Sequence, residues 1–162
     1  VTQPGGEGPA AASSHAARSA AFSAAIFFAV GIYLPFFPVW MAGKGLSEPQ
    51  IATVIAAPLF IRAVLGPLLA AFADRFGTLG RAAMVYAAAT AVLFAPMAAL
   101  PVFAVILTLS TAAMIFWTAL IPLGDAVIVA GVRRHGLDYA RVRLWGSVAF
   151  IIGNFAAAEA IG

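Results

Sequence analysis

The sequence predicts an all-α membrane protein with five transmembrane helices. Three observations carry that prediction. Apolar residues make up 64% of the 162 positions and charged residues 9%, whereas soluble domains carry about 25% charged residues. The apolar residues fall into five long blocks, near or above the roughly 20 residues that a helix needs to cross a bilayer. The arginines gather at the edges of those blocks, a distribution that sets membrane orientation. The mean hydropathy of +1.03 agrees with all three.

Residues 1–19, rich in Gly, Pro, Ala and Ser, read as a flexible tail. The first apolar block runs from Ala20 to Ala42, and Pro35 and Pro38 are expected to bend its outer end. It is too long for the core of a signal peptide. The loop "GKGLSEPQ" follows, where Ser47 and Gln50 have capping-box spacing and Pro49 suits a first helical turn. The second block covers Pro49 to Ala73 and contains Arg62; the third covers Ala82 to Leu100. On the third, Ala83, Ala87, Ala91, Ala95 and Ala99 recur every four residues, and on the second Gly66 and Ala70 share a face. Small residues at that spacing let helices approach closely in lipid. The fourth block, Val102 to Val132, would be about 46 Å long as a helix. It must therefore project, tilt or kink, with Pro122 the place for a bend. The fifth runs from Leu144 to Gly162.

With the N-terminus inside, Arg18, Arg75, Arg81, Arg133, Arg134, Arg141 and Arg143 are cytoplasmic or at that boundary. Lys44 falls outside and Arg62 lies within the membrane. That asymmetry follows the positive-inside rule and accounts for the basic run "RRHGLDYARVR" between blocks four and five. The same pattern argues against nucleic acid as a partner, because the basic residues flank hydrophobic spans. There is no Cys, so no thiolate metal site or disulfide exists in these residues. His15 and His135, far apart in sequence, make no metal cluster. No cofactor motif, nucleophile–histidine pairing or phosphate loop is present, so an intramembrane enzyme lacks a catalytic set.

Charges inside a bilayer cost about 2.5–3.5 kcal/mol on insertion scales and mark candidate sites. Thr111, Thr118 and Asp125 are seven apart and form one stripe on the fourth helix. Arg143, Ser147 and Asn154 share a face of the fifth, with Phe150 between them. The two helices are antiparallel neighbours, and Asp125 and Arg143 differ in depth by about 5–8 Å, within reach of an Arg side chain. An Asp125–Arg143 pair at the cytoplasmic end of a polar cavity is one reading. In the other, Arg143 snorkels to headgroups while Asp125 binds water or a hydroxyl. Arg62 has no evident acidic partner at its depth; a ligand anion, another part of the protein or backbone carbonyls remain open as partners. Glu159 reads as a boundary residue near the outer end of helix five.

Between blocks two and three, "GPLLAAFADRFGTLGR" resembles the signature loop of the major facilitator superfamily, Gly-x-Leu-Ala-Asp-Arg-x-Gly followed by basic residues. Ala73, Asp74, Arg75 and Gly77 match, Ala70 and Phe72 replace the expected Gly and Leu, and the basic residue comes late as Arg81. The resemblance implies that Asp74 helps lock the outward-facing state rather than bind solute. "PLGDAVIVAGVRRHGLDYARVRLWGSVAF" resembles the helix 4–5 hairpin of the lactose permease and phenylpropionate permease branch, without a gap. "LPFFPVWMAGKGLS" resembles the phenylpropionate branch as well. In that branch an acid at the position of Asp125 and an Arg at that of Arg143 form a substrate-binding pair. Two departures, Asp for Glu at 125 and Phe for a sugar-stacking Trp at 150, weigh against a galactoside.

The resemblance implies an incomplete N-terminal six-helix half of a twelve-helix fold, truncated relative to such permeases. The function it implies is secondary active transport of a small organic solute, an aromatic acid or sugar-like, by alternating access and with protons as the coupling ion. The expected substrate-binding set is Asp125, Arg143, Thr118, Ser147, Phe150, Asn154 and Arg62, with Asp74, Arg75, Gly77 and Arg81 as the conformational loop. The setting is the bacterial cytoplasmic (inner) membrane, with the lipid bilayer and the C-terminal half of the same protein as partners. The alternative is a small membrane assembly or regulatory protein that moves no solute.

Overall fold

A computed structural model describes the backbone of residues 9–161, and the side chains from 13 to 160 except those at 70 and 74. Five helices are present: α1 Pro9–Gly43, α2 Glu48–Ala73, α3 Leu79–Phe94, α4 Phe103–His135 and α5 Tyr139–Ile161. Short 3₁₀ turns, Asp74–Phe76 and Ala95–Ala98, follow α2 and α3. No strand occurs among the described residues. Four helical segments, α1, α2, α3 with the 3₁₀ turn that extends it to Ala98, and α4, are long and apolar enough to cross a membrane. In α5 the residues Arg141, Arg143, Asn154 and Glu159 dilute the apolar run.

The helix ends explain why the chain turns where it does. At the end of α1, Gly45 adopts φ +84. Its N–H donates to the Ala42 carbonyl at 2.9 Å, and the Leu46 N–H reaches back to the Met41 carbonyl at 3.2 Å. This is a Schellman closure, with Leu46 and Met41 as its apolar contact. At the start of α2 the Ser47 N–H donates to Gln50 Oε1 at 2.9 Å, one arm of the capping box. Gly77 (φ +70) and Gly136 (φ +65) make the other left-handed turns. Thr78 caps α3 by accepting the Arg81 N–H at 3.3 Å. Asp138 caps α5 by accepting the Ala140 and Arg141 N–H groups at 2.9 and 3.3 Å.

Several sequence expectations need correction here. α1 begins at Pro9, so the described residues of the expected tail, 9–19, are helical. Five alanines there have the best helix propensity, and Pro suits a first turn; residues 1–8 of that tail lie outside the described residues. The Asp138 cap starts α5 at Tyr139, so Arg141 and Arg143 stand on the helix and not before it. The alanine stripe that begins on α3 does not bury itself: Ala83 is buried, but Ala87 and Ala91 on α3 and Ala95 and Ala99 beyond its end are exposed. The buried residues are Ala82, Ala83, Tyr86, Thr90 and Met97, because a period of 3.6 carries a strict four-residue repeat off the packed face. A contact that the sequence did not suggest is that of His15 and His135, which stack ring on ring with centroids 4.1 Å apart. Only the fold could bring together residues so distant along the chain.

By internal contacts the chain divides into two units: one holds α1 up to Pro35 with Gly124 onward, the other Phe36–Leu123. In the second unit Met41, Leu46, Val54, Met97 and Ile106 are buried together, with Phe37, Trp40, Phe94 and Phe103 packed on them. Phe37 stacks on Trp40 at 5.8 Å and meets Phe94 edge-on at 6.0 Å. Tyr86 is fully buried and donates its hydroxyl to the Leu69 carbonyl at 2.6 Å, tying α3 to α2. In the first unit α1 and α5 approach at backbone distance. A Cβ on Gly31 would collide with the Phe150 carbonyl oxygen, and one on Gly153 would lie 2.5 Å from that of Phe28. The Gly66 position on α2, expected to be a close contact, has nothing within 4 Å.

These contacts make a direct prediction. Gly31→Ala and Gly153→Ala lower the melting temperature in detergent by several degrees, since overpacking costs about 1–3 kcal/mol. Gly66→Ala leaves it unchanged or raises it slightly, as Ala is the better helix former. Equal effects at all three positions would refute the α1–α5 contact.

Candidate functional site

In the first unit three helices converge on one guanidinium. Arg143, about one turn into α5, places Nε 3.6 Å from Asp125 Oδ1 on α4. That exceeds hydrogen-bond length, and the contact runs through Nε and not through the two terminal nitrogens of the fork. It is a loose ion pair. The side chains keep 31% and 39% of their exposure, so both groups remain accessible to a ligand. The other face of the guanidinium lies on Phe27 of α1, with Cζ 4.0 Å from the ring centroid. A cation held against an aromatic face is attracted by the ring quadrupole, most strongly where water is scarce.

Gly146 makes room for this arrangement. A Cβ there would fall 2.7 Å from Ser23 Oγ, 2.9 Å from Phe27 and 3.4 Å from a terminal nitrogen of Arg143. Any larger residue would displace the Ser23 and Phe27 side chains on which the Arg rests. The Ser23 hydroxyl is buried and has no hydrogen-bond partner among the described residues. Ser23, Phe27 and Gly146 were not singled out in the sequence. The signal available was the four-residue spacing of Ser23, Phe27 and Gly31 on α1, opposite Gly146 and Gly153 on α5.

The other expected residues fall differently. Ser147 is exposed, because the packed face of α5 carries Val142, Gly146, Gly153 and Ala157. Phe150 is half-buried and its carbonyl faces Gly31. The Asn154 amide donates to that same carbonyl at 3.2 Å, so part of its hydrogen-bonding capacity is spent within α5. Glu159 is exposed. Arg62 and Thr118 belong to the second unit, where they line one cavity of about 350 Å³ with Gly66, Leu69, Tyr86 and Pro122 among its walls. Asp125 and Arg143 thus form an ion pair in the first unit, and Arg62 and Thr118 line one cavity in the second.

The conformational loop has its own local logic. Asp74 opens the 3₁₀ turn after α2, and its side chain lies outside the described residues. Arg75 extends over the Phe72 ring at 5.9 Å. Phe72 meets Phe76 edge-on at 5.3 Å, an aromatic contact that the usual Leu could not make. Gly77 takes the left-handed conformation that reverses the chain, and the Arg81 N–H completes the Thr78 cap. Among the described residues no group of three or more potential metal ligands occurs.

Comparison with known proteins agrees with this architecture. The MFS_1 like family matches residues 21–161. The chain is 35% identical over 128 residues to a probable 3-phenylpropionic acid transporter of Escherichia coli K12, covering 79% of this chain and 34% of that protein. It is 32% identical over 136 residues to a maltose permease of Geobacillus stearothermophilus, covering 81% and 34%. The match thus spans about a third of the length of these relatives. No solved structure matches it significantly. With a family match over nearly all of its described length and helices apolar enough to cross a bilayer several times, this multi-pass membrane chain belongs to the MFS_1 like family, in the phenylpropionate permease-like branch of the major facilitator superfamily.

Proposed function

We propose that the chain is the N-terminal part of a secondary active transporter that moves a small organic solute by alternating access, coupled to protons. The observation that carries this reading is the loose Asp125–Arg143 pair, set on Phe27 within a permease-family chain. A tight bidentate pair would already hold the guanidinium's donors. This one leaves the terminal nitrogens available to a solute oxygen, while Asp125 can accept from a solute hydroxyl or compete for the cation. The names of the two relatives cover an organic acid and a sugar, and either kind of oxygen fits such a pair. Phe27 and Phe150 supply apolar surface beside it, and Ser147 and Asn154 are the remaining polar candidates on α5. Proton coupling rests on the resemblance to the lactose permease branch, whose coupling residues lie mainly in the second six-helix half, beyond the length matched here.

Asp74, at the C-terminal end of α2, opposes the helix dipole. We place it in state locking, through a helix N-terminus or an Arg elsewhere in the protein, and not in solute binding. The loop from Arg75 to Arg81 and the basic run from Arg133 to Arg143 put the α2–α3 and α4–α5 turns on the cytoplasmic side of a bacterial inner membrane.

Two experiments test these proposals. The sequence has no native Cys, so single Cys residues at 44, 78 and 136 report orientation directly. A membrane-impermeant thiol reagent applied from outside labels position 44 and not 78 or 136; the reverse pattern would refute the topology. In the intact transporter, Arg143→Lys and Asp125→Asn each weaken solute binding by about 10-fold or more, the range of a charge-assisted hydrogen bond. The double variant loses less than the product of the two losses, because the groups share one interaction. Strictly multiplicative losses, or full binding by Arg143→Lys, would remove the pair from the site.

A further inference from the structure

Arg62 stands in the middle of α2, about 21 Å from the helix start at Glu48 and about 17 Å from its end at Ala73. Neither end of the helix is within reach of an arginine side chain, so snorkelling does not solvate this charge. Among the described residues no acid pairs with it. It lines the cavity of about 350 Å³ between α2, α3 and α4, a size within the range of small-ligand sites, about 300–1,000 Å³.

The rest of the lining decides what fits. Leu69, Ile115, Pro122 and Leu123 give apolar walls. The Tyr86 hydroxyl is committed to the Leu69 carbonyl, and the Thr118 hydroxyl donates to the Ile115 carbonyl at 3.2 Å. Pro122 has no N–H, so the Thr118 carbonyl lacks its usual partner four residues on. The cavity is open at Arg62, which is exposed, and therefore offers one accessible cation with several donors beside apolar walls, and no side-chain carboxylate among its lining residues.

We propose that this cavity is a binding site for a monoanion carried on an apolar body, with Arg62 holding the anionic group. A soluble organic acid and an anionic lipid headgroup share that chemistry. The site has no lining residue in common with the Asp125–Arg143 pair, and it goes beyond the transport reading without depending on it.

The test titrates the intact protein in phosphatidylcholine nanodiscs with 3-phenylpropionate and with the neutral 3-phenylpropanamide, by calorimetry. The acid is expected to bind at least 10-fold tighter than the amide. Arg62→Gln abolishes that difference and Arg62→Lys retains part of it. Thr118→Leu, which fills the cavity without touching the charge, weakens the acid at least 10-fold and serves as a second test should Arg62→Gln not fold. Equal binding of acid and amide, or an unchanged difference in folded Arg62→Gln, overturns the site. Loss of acid binding in Asp125→Asn with no effect of Arg62→Gln overturns it while leaving the solute pair intact. Adding phosphatidylglycerol distinguishes the sources: weaker acid binding in the unmodified protein but not in Arg62→Gln assigns the site to lipid phosphate, and unchanged binding assigns it to a soluble acid.

Discussion

The contact between α1 and α5 is the constraint on which the candidate site depends. Gly31 sits against the Phe150 carbonyl and Gly153 against that of Phe28, so the two backbones meet where any side chain would separate them. In lipid, apolar side chains gain little by leaving one hydrocarbon surface for another, and close backbone packing takes over as the source of association. The same approach carries Ser23 and Phe27 to Gly146 and lays the Phe27 ring beneath Arg143. The electrostatics of the site thus follow from glycines one to three turns away. The cation is held by an aromatic face and a carboxylate at once, without the rigid fork that would close it to a ligand.

The two membrane arginines show how environment separates residues of one type. Arg143 stands near the start of α5, backed by Phe27 and neighboured by Asp125. Arg62 is at the middle of α2 with apolar cavity walls and no acidic partner among the described residues. The first is held in a pair that is already long, Nε to Oδ1 at 3.6 Å. The second has no partner to exchange, so an anion entering the cavity adds an interaction and displaces none. Both settings agree with the binding roles proposed for the two residues.

Local chemistry along the chain is equally economical. The Leu46–Met41 closure, the Thr78 and Asp138 caps and the three left-handed glycines stop and start helices within a few residues. Such short turns keep sequential helices adjacent and leave few backbone groups without partners, a requirement close to a membrane. The Tyr86 hydroxyl on the Leu69 carbonyl does the same for α2 and α3, anchoring a polar group inside an apolar unit.

Composition, block length and arginine placement were enough to determine an all-α membrane chain and its order of helices, while the resemblance of the loop after the second helix and of the helix 4–5 hairpin pointed to its family. Those properties depend on the solvent around each segment and on local backbone preference, which every stretch of sequence carries by itself. The Asp125–Arg143 neighbourhood was legible too, because a short turn joins their helices and spacing limits how far apart they can lie. The sequence did not decide which small residues pack. The alanines of α3 repeat more regularly than Gly31, Gly146 and Gly153, yet most of them are exposed. It did not find Phe27 beneath Arg143, the stacked His15 and His135, or the cavity joining Arg62 to Thr118. Each of these depends on which face of one helix meets which face of another distant in the chain, and only the tertiary structure decides that, because periodicity marks the faces of a helix but not their partners.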